Sequence, residues 1–145
     1  GGEPFVIEYN VRMGDPETEV VIPRIKSDLV DLLTSAARGK LSKQQISIDP
    51  RFAMTVMLVS GGYPGDYQNG KLIKGIEEVS EATVFHAGTM IGEGKEILSN
   101  GGRVLAVTVQ SVSIAEAREV VYREIEKISF EGMNFRKDIG LDLIK

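Results

Sequence analysis

The chain has 145 residues, of which 42% are hydrophobic and 26% are charged, and its net charge is −4. This is the composition of an ordinary globular domain, and the excess of acid argues against a general nucleic-acid binder, which carries a basic patch. With no cysteine and one histidine, the chain lacks the ligands for a disulfide framework or a zinc site. No apolar run reaches the length of a membrane span and no signal peptide is visible, so we expect a cytoplasmic protein.

The first predicted element is a strand from Phe5 to Arg12. Apolar and polar residues alternate there, and this period of two is typical of a strand with one face in a core. The strand is expected to stop at Gly14. Asp15 is a good N-cap and Pro16 suits the first helical position, so the sequence predicts a short helix over 16–22.

A second helix is predicted over 28–38. Pro23 would interrupt a continuous helix, and Ser27 offers a new N-cap after it. Gly39 suits the position after the helix end. The apolar stripe expected on this helix consists of Leu29, Leu32, Leu33 and Ala36.

Strands dominate the chain after residue 51. They are predicted at 52–60, 76–79, 83–91, 96–99 and 103–110. The first of them is apolar throughout and is predicted to be the central strand, and Gly88 is predicted to mark a bulge. A capping box at Ser113 and Glu116 predicts a helix that ends near Ile128. The fold class expected from these elements is α+β.

The predicted first strand carries the strongest candidate site. Glu8, Asn10 and Arg12 would point to the same side, because alternate side chains of a strand share a face. A carboxylate beside an amide oxygen suits a hard cation such as magnesium, and an arginine one step further suits a phosphate group. A solvated strand face with unremarkable polar residues explains the same spacing equally well.

A longer segment around these residues resembles a known family. EYNVRMGDPETE at 8–19 is similar to the E-x-N-x-R-x-G-D-P-E-T segment of the phosphoribosylamine–glycine ligases (glycinamide ribonucleotide synthetases), which are ATP-grasp enzymes of purine biosynthesis. Three further stretches agree with that family: SGGYPGDY at 60–67, FHAGT at 85–89 and FRKDIG at 135–140.

The resemblance implies a domain organisation. Residues 1–50 would be the last strand and helices of an ATP-grasp domain, and residues 51–145 a small antiparallel-sheet C-terminal domain. It covers the C-terminal third of such an enzyme. We therefore expect that the N-terminal part of the chain is missing and that this fragment alone is inactive.

The resemblance also implies a reaction and its partners. ATP would phosphorylate the glycine carboxylate, and 5-phosphoribosylamine would attack the glycyl phosphate, releasing ADP and phosphate. Magnesium or manganese would be the metal cofactor, no nucleic acid or membrane would be bound, and the full-length protein would be a monomer.

Site residues follow from the matching positions. Glu8 and Asn10 would hold the metal, and Arg12 would contact the reacting phosphate. The segment 14–17, consisting of Gly14, Asp15, Pro16 and Glu17, would bind substrate, with the helix N-terminus facing an anion. A turn followed by a helix cap explains the same four residues without any ligand, and Arg12 would also serve as a surface residue paired with an acid.

Other polar residues remain open between two interpretations. The 60–70 loop is glycine-rich but lacks the spacing of a P-loop; it is either a surface turn or a wall of the substrate site, with Lys71 as a phosphate contact. His86 is more typical of a strand residue than of a catalytic base. Arg136 and Asp138 suit a structural ion pair as well as a substrate contact.

Two rival functions remain. One is a different ATP-grasp carboxylate–amine ligase or a carboxylase, which would share the metal and phosphate residues. The other is a non-catalytic ligand-binding module, in which the strand and cap motif is structural only.

Overall fold

The computed structural model describes residues 2–9 and 11–144. Its regular elements are three α-helices and five strands: α1 Thr18–Val21, α2 Leu29–Ala37, β1 Phe52–Val59, β2 Thr83–His86, β3 Thr89–Ile91, β4 Ile97–Ser99, β5 Arg103–Ser111 and α3 Ile114–Ile125. Short 3-10 turns lie at Ile22–Arg24, Leu41–Lys43, Ile76–Glu78 and Leu141–Leu143. All strand pairs among these elements are antiparallel, so the expected α+β class is confirmed. No helix in the described ranges is long and apolar enough to cross a membrane.

The main sheet has three strands in the order β1-β5-β2. Strand β5 pairs with β1 along its whole length and with β2 at 105–108. The prediction that β1 is the central strand is therefore wrong. An apolar run alone does not choose between the two strands, but β5 is covered on both faces: every residue from Val104 to Val109 is buried, whereas alternate residues of β1 are partly exposed.

Helix α3 covers one face of this sheet. Its residues Ala117, Val121 and Ile125 have no exposed surface and form the core together with Val56 and Leu58 of β1. Burying each aliphatic side chain of this kind is worth roughly 1.5–3 kcal/mol, so this layer dominates the stability of the domain.

The start of α3 agrees with the sequence better than its end. The Ser113 Oγ accepts a hydrogen bond from the Glu116 backbone N–H at 3.1 Å, which confirms the N-cap half of the predicted capping box, whereas the Glu116 carboxylate accepts from the Ser111 Oγ rather than from the Ser113 N–H. The helix ends at Ile125 rather than near Ile128, although Ile128 is still buried against the same core.

Two predicted strands of the middle region are wrong. The stretch 83–91 is divided between β2 in the main sheet and β3, which pairs with β4 in a separate hairpin. The break falls at Gly88, where a Cβ atom would lie 2.5 Å from the Arg103 carbonyl oxygen. The stretch predicted as strand 76–79 contains a 3-10 turn instead.

The predicted strand at Phe5 to Arg12 is also wrong for the described residues. Residues 5–9 have no strand partner, and their apolar side chains are exposed, with Ile7 at 95% and Phe5 at 84%. Strand backbone needs a neighbouring strand for its N–H and C=O groups, and no described residue pairs with this stretch. The alternating pattern is present, but its partner is not among the described residues.

Helix α2 follows with a cap one residue later than predicted. Asp28 is the N-cap, and its carboxylate accepts the Asp31 backbone N–H at 3.0 Å, while the Ser27 Oγ accepts from the Ser47 N–H instead. Gly39 lies after the helix end as predicted. Of the expected apolar stripe only Leu32 is buried.

Candidate functional site

Segments that are distant in the sequence meet at one end of the main sheet, where β1 ends and β5 begins. We call residues 100–103, which lead into β5, the 100–103 turn. The Ser60 N–H and Oγ donate to the carbonyls of Gly102 and Gly101, both at 2.8 Å. An ion pair of 2.7 Å joins Arg103 Nη2 to the Asp15 carboxylate. The 14–17 segment and the start of the 60–70 loop are thus both anchored on this turn.

The remaining two segments singled out by the sequence reach the same place. The Asn100 N–H donates to the Gly88 carbonyl at 2.8 Å, which attaches the 85–89 segment. The backbones of Val59 and Asn134 exchange two hydrogen bonds of 2.8 and 3.0 Å, which attach the tail just before residues 135–140. Three of the four stretches therefore contact the 100–103 turn directly, and the fourth is attached to Val59, which pairs with Arg103.

The predicted N-terminal site residues line one cleft. This N-terminal cleft has a volume of about 620 Å³, and its lining consists of Glu8, Arg12, Gly14, Asp15, Glu17 and Arg103. The structure therefore brings five of the candidate residues together and adds Arg103 to them. Their roles toward a ligand stay predictions.

Local contacts in the cleft differ from those expected of a helix cap. Helix α1 begins at Thr18, with Glu17 at the N-cap position and no side-chain cap bond. The predictions of Asp15 as N-cap and Pro16 as first helical residue are therefore wrong. Asp15 pairs with Arg103, and the Glu17 carboxylate folds back to accept the Gly14 N–H at 2.5 Å.

Arg12 is exposed and donates from Nη1 to the Met13 carbonyl at 3.0 Å. It is not paired with an acid in the described part of the chain, so the surface ion pair weighed for it is not formed there. Its guanidinium remains available on the wall of the cleft.

The described residues do not fit a divalent cation on their own. Asn10 lies outside the described residues, so the predicted pairing of Glu8 with Asn10 is not tested. No group of three or more acidic or histidine side chains that could hold a metal ion is found among residues 2–9 and 11–144. Glu8 is exposed and is the one described member of the predicted metal pair. The described residues therefore do not form a complete metal site by themselves.

Pro16 lies in a second, more apolar cavity next to the N-terminal cleft. This apolar cavity has a volume of about 470 Å³ and is lined by Pro16, Thr55, Val56, Met57, Val59, Tyr63, Pro64, Arg103, Asn134, Phe135, Arg136 and Ile139. Arg103 lines both cavities, and the 14–17 segment separates them.

Helix α3 fixes the 135–140 segment, which forms one wall of the apolar cavity. Arg118 donates to the carbonyls of Lys137 at 2.6 Å and Ile139 at 3.2 Å, and the Tyr122 hydroxyl donates to the Arg136 carbonyl at 2.7 Å. The Arg118 guanidinium also lies over the Tyr122 ring, 4.7 Å from its centroid. Three side-chain bonds from one helix therefore fix the course of the 135–140 segment.

Arg136 forms an ion pair with Asp138. Its Nε and Nη2 donate to the two carboxylate oxygens at 3.0 and 2.6 Å, a bidentate geometry. This pairing holds the pKa of the Asp138 carboxyl below its usual range. The ion pair expected for these two residues is therefore formed, and a contact of either residue with substrate stays a prediction.

Lys71 and His86 are not part of the N-terminal cleft. The Lys71 ammonium pairs with Glu131 at 2.9 Å and lines a separate cavity of about 370 Å³ beside the 60–70 loop. His86 is an exposed strand residue whose Nδ1 lies 3.0 Å from the Thr89 Oγ1. The structure does not bring either of them to the candidates at 8–17.

Arg103 is the residue that sequence reasoning missed. It was predicted only as the first residue of a strand, as the structure confirms. No spacing signal distinguishes it from other arginines, because its contact with Asp15 spans 88 positions and arises only when the chain folds.

Comparisons with known proteins agree on one family. The family model described as "Phosphoribosylglycinamide synthetase, C domain" matches residues 53–142. The phosphoribosylamine–glycine ligase of Caldanaerobacter subterraneus subsp. tengcongensis is 47% identical over 137 residues, which is 94% of this chain and 33% of that protein. That of Escherichia coli K12 is 44% identical over 141 residues, or 96% of this chain and 33% of that protein.

A solved structure gives the same result. The crystal structure of phosphoribosylamine–glycine ligase from Thermotoga maritima is 37% identical and superposes with a TM-score of 0.79. The match covers 94% of this chain and 34% of that one. The chain thus spans about one third of the length of the curated relatives it matches.

Proposed function

Because the chain belongs to the phosphoribosylglycinamide synthetase C-domain family, we propose that it acts as the C-terminal third of a phosphoribosylamine–glycine ligase. That ligase would join glycine to 5-phosphoribosylamine in purine biosynthesis, with ATP converted to ADP and phosphate. The observation that supports this most directly is that the four family-like segments meet at one end of the main sheet, where β1 ends and β5 begins. If these segments served only as local turns and helix caps, the fold would not need to place them next to one another.

In this proposal the chain divides into two units. Residues 1–50 would complete an ATP-grasp domain, and residues 51–145 would form the domain that faces it. Two observations support the division: the family match begins at residue 53, and the exposed apolar stretch 5–9 has the alternation of a strand without a partner in the described residues. An unpaired alternating stretch is what a sheet shared with another part of the protein would leave.

The N-terminal cleft would be one wall of the active site. Arg12 would contact the transferring phosphate, for which a guanidinium is suited by its fixed charge and its paired donors. The segment 14–17 would face the substrate, and Lys71, which lines a separate cavity beside the 60–70 loop, would contact a phosphate. Such a site works by placing the reactants and by neutralising charge, so no nucleophilic side chain is required.

Glu8 and Asn10 would provide ligands for magnesium or manganese. When bound, the metal neutralises charge on the phosphates of ATP. Because the described residues alone do not form such a site, the other ligands would have to come from the rest of the ligase.

A chimeric ligase tests the function. This chain would replace the matching third of the Caldanaerobacter enzyme, and ADP release would be measured with ATP, glycine and 5-phosphoribosylamine. We expect the chimera to be active and the isolated 145-residue chain to be inactive. Activity with a different carboxylic acid in place of glycine would favour another ATP-grasp ligase. Ligation by the isolated chain would contradict the proposal that the rest of the ligase is needed for activity.

A variant of the same chimera tests the metal residues. Glu8→Gln combined with Asn10→Ala is expected to abolish magnesium-dependent ADP release while the circular dichroism spectrum stays unchanged. The matched control is Glu126→Gln, an exposed acid at the end of α3. Near-normal turnover of the double variant would favour the non-catalytic interpretation of the strand motif.

A further inference from the structure

We propose that Arg103 is a positioning residue, which holds the 14–17 segment against the end of the sheet and thereby sets the shape of the N-terminal cleft. The inference rests on the proposed function, since it assigns Arg103 to that same site. Arg103 would act through Asp15 rather than on the reacting atoms.

The first argument is where this ion pair acts. Two ion pairs among the described residues join 2–50 to 51–144: Arg51 with Asp49 at the boundary itself, and Arg103 with Asp15. The boundary is also held by the Asp49 N–H, which donates to the Arg24 carbonyl, and α1 lies beside β1 and β5. Only the Arg103 pair, at 2.7 Å, acts on the 14–17 segment directly.

The second argument is the rigid base from which Arg103 projects. Its backbone pairs with Val59 of β1, and its carbonyl lies against Gly88. The preceding residue, Gly102, lies so close to the Tyr63 ring that a Cβ atom there would overlap it. The guanidinium therefore starts from a backbone that is held on both sides.

Asp15 lies in a contrasting setting. The 14–17 segment contains no strand, and α1 after it is only four residues long. Outside the ion pair, the segment has two internal hydrogen bonds, from the Gly14 N–H to the Glu17 carboxylate and from the Glu17 N–H to the Gly14 carbonyl. The rigid partner is thus Arg103, and the segment that needs placing is the one that carries Asp15.

The third argument comes from the position of Arg103 between the two cavities. It lines both the N-terminal cleft and the apolar cavity, and the 14–17 segment lies between them. A shift of that segment would enlarge one cavity at the expense of the other. The ion pair therefore controls the geometry of the cleft that contains Glu8 and Arg12.

The ion pair is too exposed to matter much for global stability. The side chains of Arg103 and Asp15 are 46% and 44% exposed, and half-exposed pairs contribute little to folding. A positioning role can therefore be distinguished from a role in stability. Loss of the pair should change the geometry of the N-terminal cleft and the turnover, while the melting temperature stays nearly constant.

A distance measurement on the 145-residue chain is the first test. The chain has no cysteine, so spin labels can be attached at Thr18→Cys on α1 and Glu126→Cys at the end of α3. Arg103→Met and Asp15→Asn are each expected to broaden the distribution of distances between the two labels, as measured by pulsed electron paramagnetic resonance. Arg103→Lys keeps the charge and should restore a narrow distribution.

The matched control is Arg123→Met. Arg123 pairs with Glu81 at the same distance, 2.7 Å, and at 45% exposure, but both residues lie in the 52–144 part. We expect this variant to leave the distribution unchanged. An unchanged distribution in Arg103→Met, or equal broadening in the control, would overturn the proposal.

Turnover of the chimeric ligase is the second test. Because small misplacements of a reacting group are costly, Arg103→Met should lower kcat by about 10- to 100-fold while the KM for ATP changes less than about 3-fold. Arg123→Met should keep the parent kcat. An inactive parent chimera would count against the proposed function, and the distance measurement would then test the positioning role of Arg103 by itself. An active parent chimera whose Arg103→Met variant keeps the parent kcat would refute the positioning role and leave the proposed function standing.

Discussion

Glu124 of α3 is fully buried and nevertheless makes the bonds of a charged carboxylate. Its Oε2 accepts the backbone N–H groups of Ser80 at 2.8 Å and Glu81 at 3.3 Å, and its Oε1 accepts from the Lys127 ammonium at 2.7 Å. We predict that Glu124→Gln destabilises the fold. The amide keeps the shape of the side chain but replaces one acceptor with an NH₂ group, which faces either an N–H donor or the ammonium.

The expected loss can be estimated from these contacts. An unsatisfied buried polar group costs about 1–3 kcal/mol, and removing one partner of a buried ion pair costs about 3–5 kcal/mol. The Lys127 side chain is 29% exposed, so its ammonium recovers part of its hydration. The free energy of unfolding should therefore fall by about 2–4 kcal/mol, which lowers the melting temperature by roughly 5–15 °C for a chain of this size.

Urea denaturation followed by circular dichroism at pH 7 measures this loss. The control is Glu126→Gln, which makes the same chemical change two residues away on an exposed side chain and should stay within about 0.5 kcal/mol of the parent. A loss below about 1 kcal/mol in Glu124→Gln, or one equal to the control, would refute the view that the buried carboxylate holds the 80–81 backbone.

The same carboxylate predicts a dependence on pH. Burial by itself raises the pKa of Glu124, but the bonds from Lys127, Ser80 and Glu81 outweigh it, so the pKa lies below its usual value of 4.5. A lowered folded-state pKa means that the carboxylate contributes stability above pH 4.5, and that this contribution is lost as the pH falls through the folded-state pKa. The stability difference between parent and Glu124→Gln should shrink as the pH falls below about 4.5; a difference independent of pH would contradict this.

Two local substitutions give further tests. Ser113→Ala removes the cap bond to the Glu116 N–H and should lower the unfolding free energy by about 1 kcal/mol in urea, and no change would argue that solvent caps the helix equally well. Gly75→Ala should cost at least about 3 kcal/mol, because φ is +83° and a Cβ atom would overlap the Lys127 carbonyl. Gly70→Ala, with φ of +79° and no atom within 4 Å, should cost only about 1 kcal/mol, and equal losses at the two glycines would contradict the steric argument.

Several elements follow from the sequence because their causes are local. Strand β1 ends one residue before the predicted end, and β5 ends one residue after it. The start of α3 and its Ser113 cap were also predicted correctly. In each of these cases the periodicity, the cap and the turn residues lie within the element itself, so no distant contact is needed to decide the conformation.

Other elements depended on contacts that the sequence does not encode locally. The apolar run of β1 did not reveal that β5 is central, because strand order is set by which strands pair along each edge, and β5 pairs with both β1 and β2. The break between β2 and β3 requires the backbone of Arg103 to lie against Gly88. The alternation at 5–9 predicted a strand, but a strand needs a partner, and none is found in the described residues.

The candidate site divides in the same way. The sequence by itself determined which residue types stand near Glu8 and Arg12, and through the resemblance it singled out the four segments of the family. Only the tertiary structure decided that these segments meet at one end of the main sheet, that Lys71 lies in another cavity, and that Asp15 pairs with Arg103 instead of capping α1. The physical reason is distance along the chain. A helix cap depends only on residues within one turn of the helix, whereas an ion pair across 88 positions forms only after β5 has been placed beside β1.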